Sequence, residues 1–385
     1  RRWRRLCASS SQELPSLFKE SPTGRKVTDT PMQLPPSDER MKALATLSKK
    51  DPCPPFIRYS YRSLDRQYVF HDSRMLDRAG PALWLAHGDY QVYLVSLLSH
   101  PLGMGPALVT CNMVPDLHYF RGSYGGKDVM PLYRDSGADE ANVAPGLLKL
   151  LEEQYGCEVT PEDFLSYVYG TLAHPEYTER FQQDLKAKEI RLPLTKDRKY
   201  FQVARDVGKR LIWLHTYGER LIPSGRKRGV IPTGTTKCTK AVPESNDRYP
   251  EKYSYDAEAK ILRVGDGEFG PVAQEVWDFE VSGLRVVKSW LDYRMKAGHG
   301  KKSSPLDDIR PERWTSEFTT ELLELLWILE MTLAEYPKQK ELLEAVVKGP
   351  LFRANKLPAV PAYMRKAPSQ SDTASVFEQE EIEED

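Results

Sequence analysis

A chain of 385 residues, 40% of them hydrophobic, is long enough for two or three domains with ordinary apolar cores. Lysine plus arginine equal aspartate plus glutamate at 55 each, which excludes a global field that pulls the molecule toward DNA or a membrane, so any such attraction must be local. Five scattered cysteines without a CxxC pair, and no apolar run of about 18 residues, argue against disulfides, structural zinc and a membrane span. We expect a soluble cytoplasmic protein.

The first part of the chain divides at Pro55. Residues 1–54 are rich in Ser, Pro and Lys, which predicts a linker or the end of a missing upstream domain, with one short helix over residues 38–47. The start, RRWRR, has neither a methionine nor a following apolar segment, which indicates a fragment without a signal peptide. From Pro55 to Tyr133 the runs RQYVFHD, QVYLVSLL and ALVTCNMV predict strands.

Helices are predicted for the centre of the chain. PGLLKLLEEQYG ends at Gly156, and the next helix begins with Thr160 as N-cap and Pro161 in its first turn. KYFQVARDVGKRLIWLHTYGER also carries apolar residues at helical spacing. After a basic loop, KYSYDAEAKILRVGDGEFGPV predicts a β-hairpin insertion.

The end of the chain is predicted as two helices, TSEFTTELLELLWILEMTLAEYP and KQKELLEAVVKG, divided near a proline. The first has one apolar stripe, which favours packing as a spacer over a partner-binding face; the stripe is Leu322, Leu325, Leu326, Leu329 and Leu333. We expect residues 351–385 to be a disordered acidic tail, since residues 371–385 hold seven acids and no base. The fold class is therefore mixed α+β, with a β-rich N-terminal part.

Three motifs suggest enzymes but have simpler interpretations. GDGEFG has the glycine spacing of a dinucleotide loop, but a proline follows it and no strand-helix-strand unit surrounds it, which favours a hairpin turn. CPPF resembles the tetrapeptide of amino-methylating DNA methyltransferases, but Cys53 is a poor hydrogen-bond acceptor, so a rigid domain entry is favoured. His71 with Asp72 lacks further metal ligands at recognisable spacing. His215 and Glu219 are predicted as a helix-surface pair.

Local positive charge remains. Residues 196–240 hold twelve basic and three acidic residues, about plus nine by this count. Three clusters in loops that contain glycine predict phosphate contacts rather than solvated faces. The candidate DNA-binding residues are Arg226, Lys227, Arg228, Lys237 and Lys240 in the first cluster, Arg294, Lys296, Lys301, Lys302 and Ser303 in the second, and Arg121 and Lys127 in RGSYGGKD.

Longer motifs carry a family resemblance. YRSLDRQYVFHDSRMLDR resembles the segment that follows the methyltransferase domain in single-chain Type ISP restriction-modification enzymes, and PDLHYFRGSYGGKDVMPLYRD, FLSYVYGTLAHPEYTERFQQDL and VWDFEVSGLRVVKSWLDYR are similar to the C-terminal specificity region of that family. The resemblance runs from Pro55 to Lys348. It implies a target-recognition fold over residues 55–350 and a domain junction at Tyr61, Arg62, Asp65, Arg66, Tyr68 and Arg74, where we favour a scaffold role over DNA contact.

The resemblance also implies a function. The chain would be the module that recognises double-stranded DNA in a bacterial phage-defence enzyme, where an upstream methyltransferase domain methylates adenine N6 and other parts cleave unmodified DNA. S-adenosylmethionine, with magnesium and ATP, would serve the parent enzyme, and this chain alone would hold no cofactor or metal and have no methyltransferase activity. Two alternatives stay open, namely a protein-interaction module of a phage-defence assembly and a small enzyme with an unfamiliar site.

Overall fold

Two short helices, α1 (Arg2–Ala8) and α2 (Leu14–Leu17), begin the chain in a computed structural model that describes residues 1–18, 26–77, 79–96, 104–120, 128–187, 190–297 and 305–368. With a 3₁₀ turn at Leu44–Thr46 they form a small apolar cluster that includes Trp3 and Leu306. The described residues of this segment are therefore packed, which does not fit a loose linker, while the alternative, the end of an upstream domain, stays a prediction. The helix predicted over residues 38–47 is only this turn. The Ser-, Pro- and Lys-rich composition of this segment gave no indication that its few apolar residues pack together in a buried cluster.

The β-rich part begins with an antiparallel hairpin of β1 (Phe56–Arg62) and β2 (Asp65–Phe70). After α3 (Pro81–Leu85), a second sheet places β3 (Tyr93–Ser96) between β4 (Leu108–Cys111) and β5 (Asp128–Pro131). Both strands that flank β3 pair with it in antiparallel register. The three predicted strands are confirmed as β2, β3 and β4. β-branched and aromatic side chains favour all three, and β3 and β4 are buried along their whole length.

Helices follow, with bounds α4 (Leu147–Tyr155), α5 (Pro161–Leu172), α6 (Pro175–Arg180), α7 (Gln182–Lys186) and α8 (Arg198–His215). Gly156 ends α4 in the left-handed conformation, at φ +65°, and the Thr160 hydroxyl accepts the Asp163 N–H at 3.1 Å as the N-cap of α5. Both predicted helix boundaries are confirmed. The helices α5 and α8 cross closely at Gly170 and Gly208, where the backbones meet without side chains.

A four-stranded sheet follows α8, with bounds β6 (Lys237–Lys240), β7 (Tyr253–Asp256), β8 (Ile261–Val264) and β9 (Gly267–Gly270) and order β6-β9-β8-β7. Gly265 and Asp266 form the turn between β8 and β9, and the rest of GDGEFG is β9, so the hairpin prediction is confirmed. Only Gly265 has positive φ there, at +55°, whereas a Cβ on Gly267 would overlap the Val242 side chain. Gly267 is thus required for close approach and not for a positive φ.

The small elements α9 (Gln274–Trp277), β10 (Glu280–Val281), β11 (Leu284–Arg285) and α10 (Val286–Asp292) lead to the long helix α11 (Ser316–Lys348). This helix passes through Pro337, so the prediction of two helices is wrong. Its second half buries Leu342, Leu343 and Val346, and this packing offsets the roughly 3 kcal/mol that an internal proline costs. The leucine stripe of its first half packs against the main core, which confirms the spacer interpretation. Of the helices described, none is long and apolar enough to cross a bilayer.

Residues 351–368 pack against the body of the fold. Leu351 bridges to Thr195, and the Phe352 N–H donates to the Leu194 carbonyl at 2.9 Å. Arg134 donates to the Lys366 carbonyl at 3.2 Å. The predicted tail is therefore wrong from 351 to 368, because backbone pairing holds these residues, and its acidic part, 371–385, lies outside the described residues. The mixed α+β class is confirmed.

Candidate nucleic-acid interface

The arginines of the predicted junction are neutralised inside the protein. Arg62 forms an ion pair with Asp116 at 2.9 Å, Arg66 with Glu324 at 2.8 Å, and Arg74 with Asp72 at 2.6 Å. The guanidinium of Arg66 also lies 3.4 Å from the centre of the Tyr217 ring. These contacts explain the mixture of aromatic and basic residues in this stretch, since each cation has both a carboxylate and a ring beside it.

The other predicted junction residues divide between core and surface. Tyr61 packs edge-on against Tyr293, with ring centres 4.8 Å apart. Asp65 is buried, whereas Tyr68 is 58% exposed and has the Arg58 guanidinium 4.0 Å from its ring centre. The hairpin thus packs against α11 and against Tyr293, which follows α10, and leaves the ring of Tyr68 partly open to solvent.

Arg294, predicted as a DNA contact, lies in the core. Its side chain is 6% exposed, pairs with Asp65 at 2.8 Å and Glu321 at 3.5 Å, and covers the Trp290 ring at 3.8 Å. A guanidinium committed to two buried carboxylates is not open to a phosphate, so that prediction is wrong. In the sequence Arg294 stands among other basic residues, and the pairing could not be predicted because its partner Asp65 lies far away in the chain.

Much of the basic segment 196–240 is also neutralised. Arg205 and Lys209 pair with Asp163, and Arg210 pairs with Glu335 at 2.8 Å. Arg220 is 7% exposed and donates to backbone carbonyls. The charge count of the sequence therefore overstates the field that this segment projects.

Four cations of the predicted set stay open to solvent. Arg226, Lys227, Lys237 and Lys240 are exposed, and within the described ranges none of them has a carboxylate partner. Lys237 and Lys240 lie on β6, which pairs with β9 on one side only and so forms an edge of its sheet. Arg226 and Lys227 lie in the preceding loop, residues 223–236, called the basic loop below. Together they are the strongest unneutralised positive surface of the predicted cluster.

The first half of the basic loop folds back on the end of α8. The Gly229 N–H donates to the Gly218 carbonyl at 2.9 Å, and a Cβ on Gly218 would come within 2.8 Å of the Val230 nitrogen. Gly218 also needs its φ of +79°. Arg228 donates to Glu219 at 2.7 Å and lies 3.4 Å from Asp89. The ion pairs of Arg228 with Glu219 and Asp89, called the strap below, therefore shape the loop. Arg226 and Lys227 carry the positive charge of the loop that no described carboxylate neutralises.

The second half of the basic loop is held by α11. The Glu330 carboxylate accepts the backbone N–H groups of Thr235 at 2.6 Å and Thr236 at 3.1 Å, and the Thr236 hydroxyl at 2.6 Å. The Trp327 indole donates to the Thr236 carbonyl at 2.7 Å. Gly234 lies so close to both side chains that no Cβ fits. These bonds fix the position where β6 and its two lysines begin.

One further predicted contact lies in the described part of the chain and already has an acidic partner. Lys296 is half exposed and pairs with Glu251 at 2.8 Å. Arg121, Lys127, Lys301, Lys302 and Ser303 lie outside the described residues.

Histidines do not assemble a metal site in the described part of the chain, where no cluster of three His, Cys, Asp or Glu side chains occurs. The prediction of a surface pair between His215 and Glu219 is wrong. His215 is buried, Glu219 binds Arg228, and burial lowers the pKa of His215 to about 3. Asp72, which follows His71 in the sequence, forms an ion pair with Arg74.

The family model described as the Type ISP C-terminal specificity domain matches residues 1–325. The chain belongs to this family. The match begins before Pro55, where the resemblance in the motifs starts. No curated protein matches the chain.

Type ISP and related solved structures resemble this specificity domain. The ATP-dependent Type ISP restriction-modification enzyme LlaBIII bound to DNA gives a TM-score of 0.54 at 13% identity, over 79% of this chain and 19% of its own. The DrdV–DNA complex gives a TM-score of 0.55 at 16% identity, over 74% of this chain and 28% of its own. A nuclease-deletion mutant of the Type ISP enzyme LlaGI in complex with a DNA substrate mimic gives a TM-score of 0.49 at 16% identity, over 77% of this chain and 21% of its own. The chain spans between 19% and 28% of these proteins.

Sequence reasoning missed Glu330 and the Glu219–Arg228–Asp89 strap in this Type ISP specificity domain. A signal for the first was present, because Glu330 interrupts an otherwise apolar stretch of α11. An acid in such a position needs a partner, but only the fold reveals that the partner is the backbone of a loop about 95 residues earlier.

Proposed function

We propose that this chain recognises the DNA target of a restriction-modification enzyme. Membership of the specificity-domain family supports this proposal, and so does the DNA bound in LlaBIII and DrdV, which share its fold. The observation that carries it is the placement of four exposed cations on a loop and edge strand that Glu330 and Glu219 hold in place. These cations have no carboxylate partner among the described residues; they are Arg226, Lys227, Lys237 and Lys240.

The open cations would bind phosphates and set the register of the protein on the duplex. Polar residues of the same loop would meet base edges; Thr233 and Thr235 are exposed there. The proposed interface therefore omits Arg294 and uses Arg228 only to shape the loop.

The parent enzyme that we propose places a methyltransferase domain upstream of this chain, with the hairpin of β1 and β2 at the junction. S-adenosylmethionine would supply the methyl group for adenine N6, and ATP with magnesium would serve the cleaving parts; LlaBIII is an ATP-dependent enzyme. We assign no residue of this chain to any of these cofactors, and we expect no methyl transfer by the chain alone.

Selection from a random duplex pool tests the proposal. The chain is incubated with duplexes that carry a randomised central segment, bound DNA is recovered and sequenced, and selection is repeated at rising salt. We expect one short sequence to be enriched. Salt-sensitive binding without enrichment would support only a nonspecific DNA surface, and no binding to any duplex would favour the alternative of a protein-interaction module.

A further inference from the structure

A tight turn at residues 88–91 presents an exposed aromatic side chain beside the basic loop. The Gln91 N–H donates to the Gly88 carbonyl at 3.2 Å, and Asp89 and Tyr90 form the tip. Tyr90 is 67% exposed, and its side chain has no hydrogen-bond or ring partner among the residues that the structure describes. A large ring left open in this way is available for contact with another molecule.

Buried groups hold this turn firmly. The Arg220 guanidinium donates to the Gln91 carbonyl at 3.0 Å and to the Gly88 carbonyl at 3.2 Å. Gly88 packs so closely on the Ser136 carbonyl that no Cβ fits. The Gln91 side chain exchanges hydrogen bonds with the Tyr133 backbone. The ring of Tyr90 is therefore presented by a preorganised backbone, which lowers the entropy cost of binding.

The strap joins the turn to the basic loop. Arg228 lies 3.4 Å from Asp89, the neighbour of Tyr90, and 2.7 Å from Glu219. Tyr90 is thus the chain neighbour of one end of this ion pair, and Lys227 and Arg226 immediately precede its other end. An open ring beside open cations fits nucleic acid, because the cations meet phosphates while the ring packs on sugars and bases.

We infer that Tyr90 is a DNA-contacting residue whose ring packs against the sugar and base edges of the duplex that Arg226 and Lys227 bind. This inference rests on the proposed function. Its contact is apolar, so it contributes affinity without releasing counterions. Loss of the ring should then weaken binding equally at every salt concentration, whereas loss of a phosphate contact should flatten the salt dependence.

The test compares Tyr90→Ala, Tyr90→Phe and wild type in salt titrations of the 385-residue chain on one duplex. We expect Y90A to bind on the order of 10-fold more weakly, because it loses the apolar surface that the ring buries, with the slope of log affinity against log salt unchanged. We expect Y90F to bind as wild type does. Tyr68→Ala is the matched control, because Tyr68 is 58% exposed but its ring is already covered by Arg58, and it should leave binding unchanged.

Each outcome decides the inference. If Y90A binds DNA as tightly as wild type does, the inference about Tyr90 is wrong, but binding by wild type still supports the proposed function. If the salt dependence of Y90A is flatter than that of wild type, Tyr90 only positions the cations and does not contact DNA. Absence of wild-type binding removes both. If Y90A unfolds at a lower temperature than wild type, Tyr90→Gln replaces it, and a similar loss is expected because glutamine keeps part of the bulk but lacks the apolar ring surface. A loss that appears only with a protein partner, and not with DNA, assigns the surface to that partner.

Discussion

The hydroxyl of Tyr169 lies 2.6 Å from Nδ1 of His215, where α5 and α8 meet the second sheet and α11. This hydroxyl accepts the Thr110 N–H at 3.2 Å. The Thr332 hydroxyl donates to the Ile328 carbonyl at 2.7 Å and must therefore accept from Nε2 of His215, so the Tyr169 hydroxyl donates to Nδ1. His215 then carries its own proton on Nε2 and donates to the Thr332 hydroxyl at 2.8 Å. Four elements are thus joined through one buried neutral imidazole.

This network predicts loss of stability in acid. Burial lowers the pKa of His215 to about 3 and that of His174 to about 4, below the unfolded value of about 6.5. Protonation therefore favours the unfolded chain. The contribution is fully present above pH 6.5 and is lost as the pH falls toward 4 and 3, by up to about 1.4 kcal/mol per pH unit for each histidine.

Denaturant titrations at pH 7.5 and 5 on wild type and His215→Gln measure this effect. We expect the variant to be less stable at pH 7.5 by about 1–3 kcal/mol, because Tyr169 and Thr332 lose a well-placed partner. The loss between the two pH values should be smaller in the variant than in wild type. Equal losses would show that His215 does not titrate with unfolding.

The crossing of α5 and α8 predicts that Gly208→Ala destabilises the protein, although alanine is the better helix former. A Cβ there would overlap the Ser166 carbonyl of the facing helix. We expect a loss of about 1–3 kcal/mol or more in thermal or denaturant unfolding. Gly225→Ala is the control, since Gly225 is exposed with open space around it, and only its φ of +77° opposes the change. A more stable G208A would contradict the crossing.

The buried ion pair of Arg294 and Asp65 gives a prediction that distinguishes a structural role of Arg294 in the core from a role in DNA binding. Arg294→Ala leaves Asp65 buried without its cation, whereas Glu321 keeps its ion pair with Arg58 at 2.8 Å, so we expect a loss of about 3–5 kcal/mol of stability. The neighbouring Lys296→Ala removes the same charge from an exposed side chain and should change stability little. A stable R294A with weakened DNA binding would restore Arg294 to the interface.

The turn between β8 and β9 predicts that Gly267→Ala lowers stability through overlap with Val242, by about 1–3 kcal/mol. NAD should not raise the melting temperature of wild type, because this stretch is a hairpin turn. A rise of several degrees with NAD would revive the dinucleotide interpretation.

Local chemistry predicted the local structure well. The cap at Thr160, the end of α4 at Gly156 and the hairpin at Gly265 depend on residues close in the chain, and each is present. The wrong predictions concern residues whose conformation or contacts depend on partners far away in the chain. Pro337 stays helical because Leu342 and Leu343 are buried by other helices.

The candidate site shows the same division. The sequence located the basic loop, but only the fold separates Arg226 and Lys227, which are open, from Arg228, which Glu219 and Asp89 hold. Charge along a chain is countable, whereas neutralisation depends on which acids the fold brings near. For this reason the proposed interface is smaller than the basic segment.

The salt dependence of duplex binding by Arg226→Ala/Lys227→Ala tests the central claim most directly. The matched control, Lys49→Ala/Lys50→Ala, removes two exposed cations elsewhere and so changes net charge equally. If both loop residues bind phosphates, the slope of log affinity against log salt should fall by about 1.8 in magnitude, while the control keeps the wild-type slope. Equal slopes for wild type and both variants would contradict the assignment of the basic loop as the DNA surface.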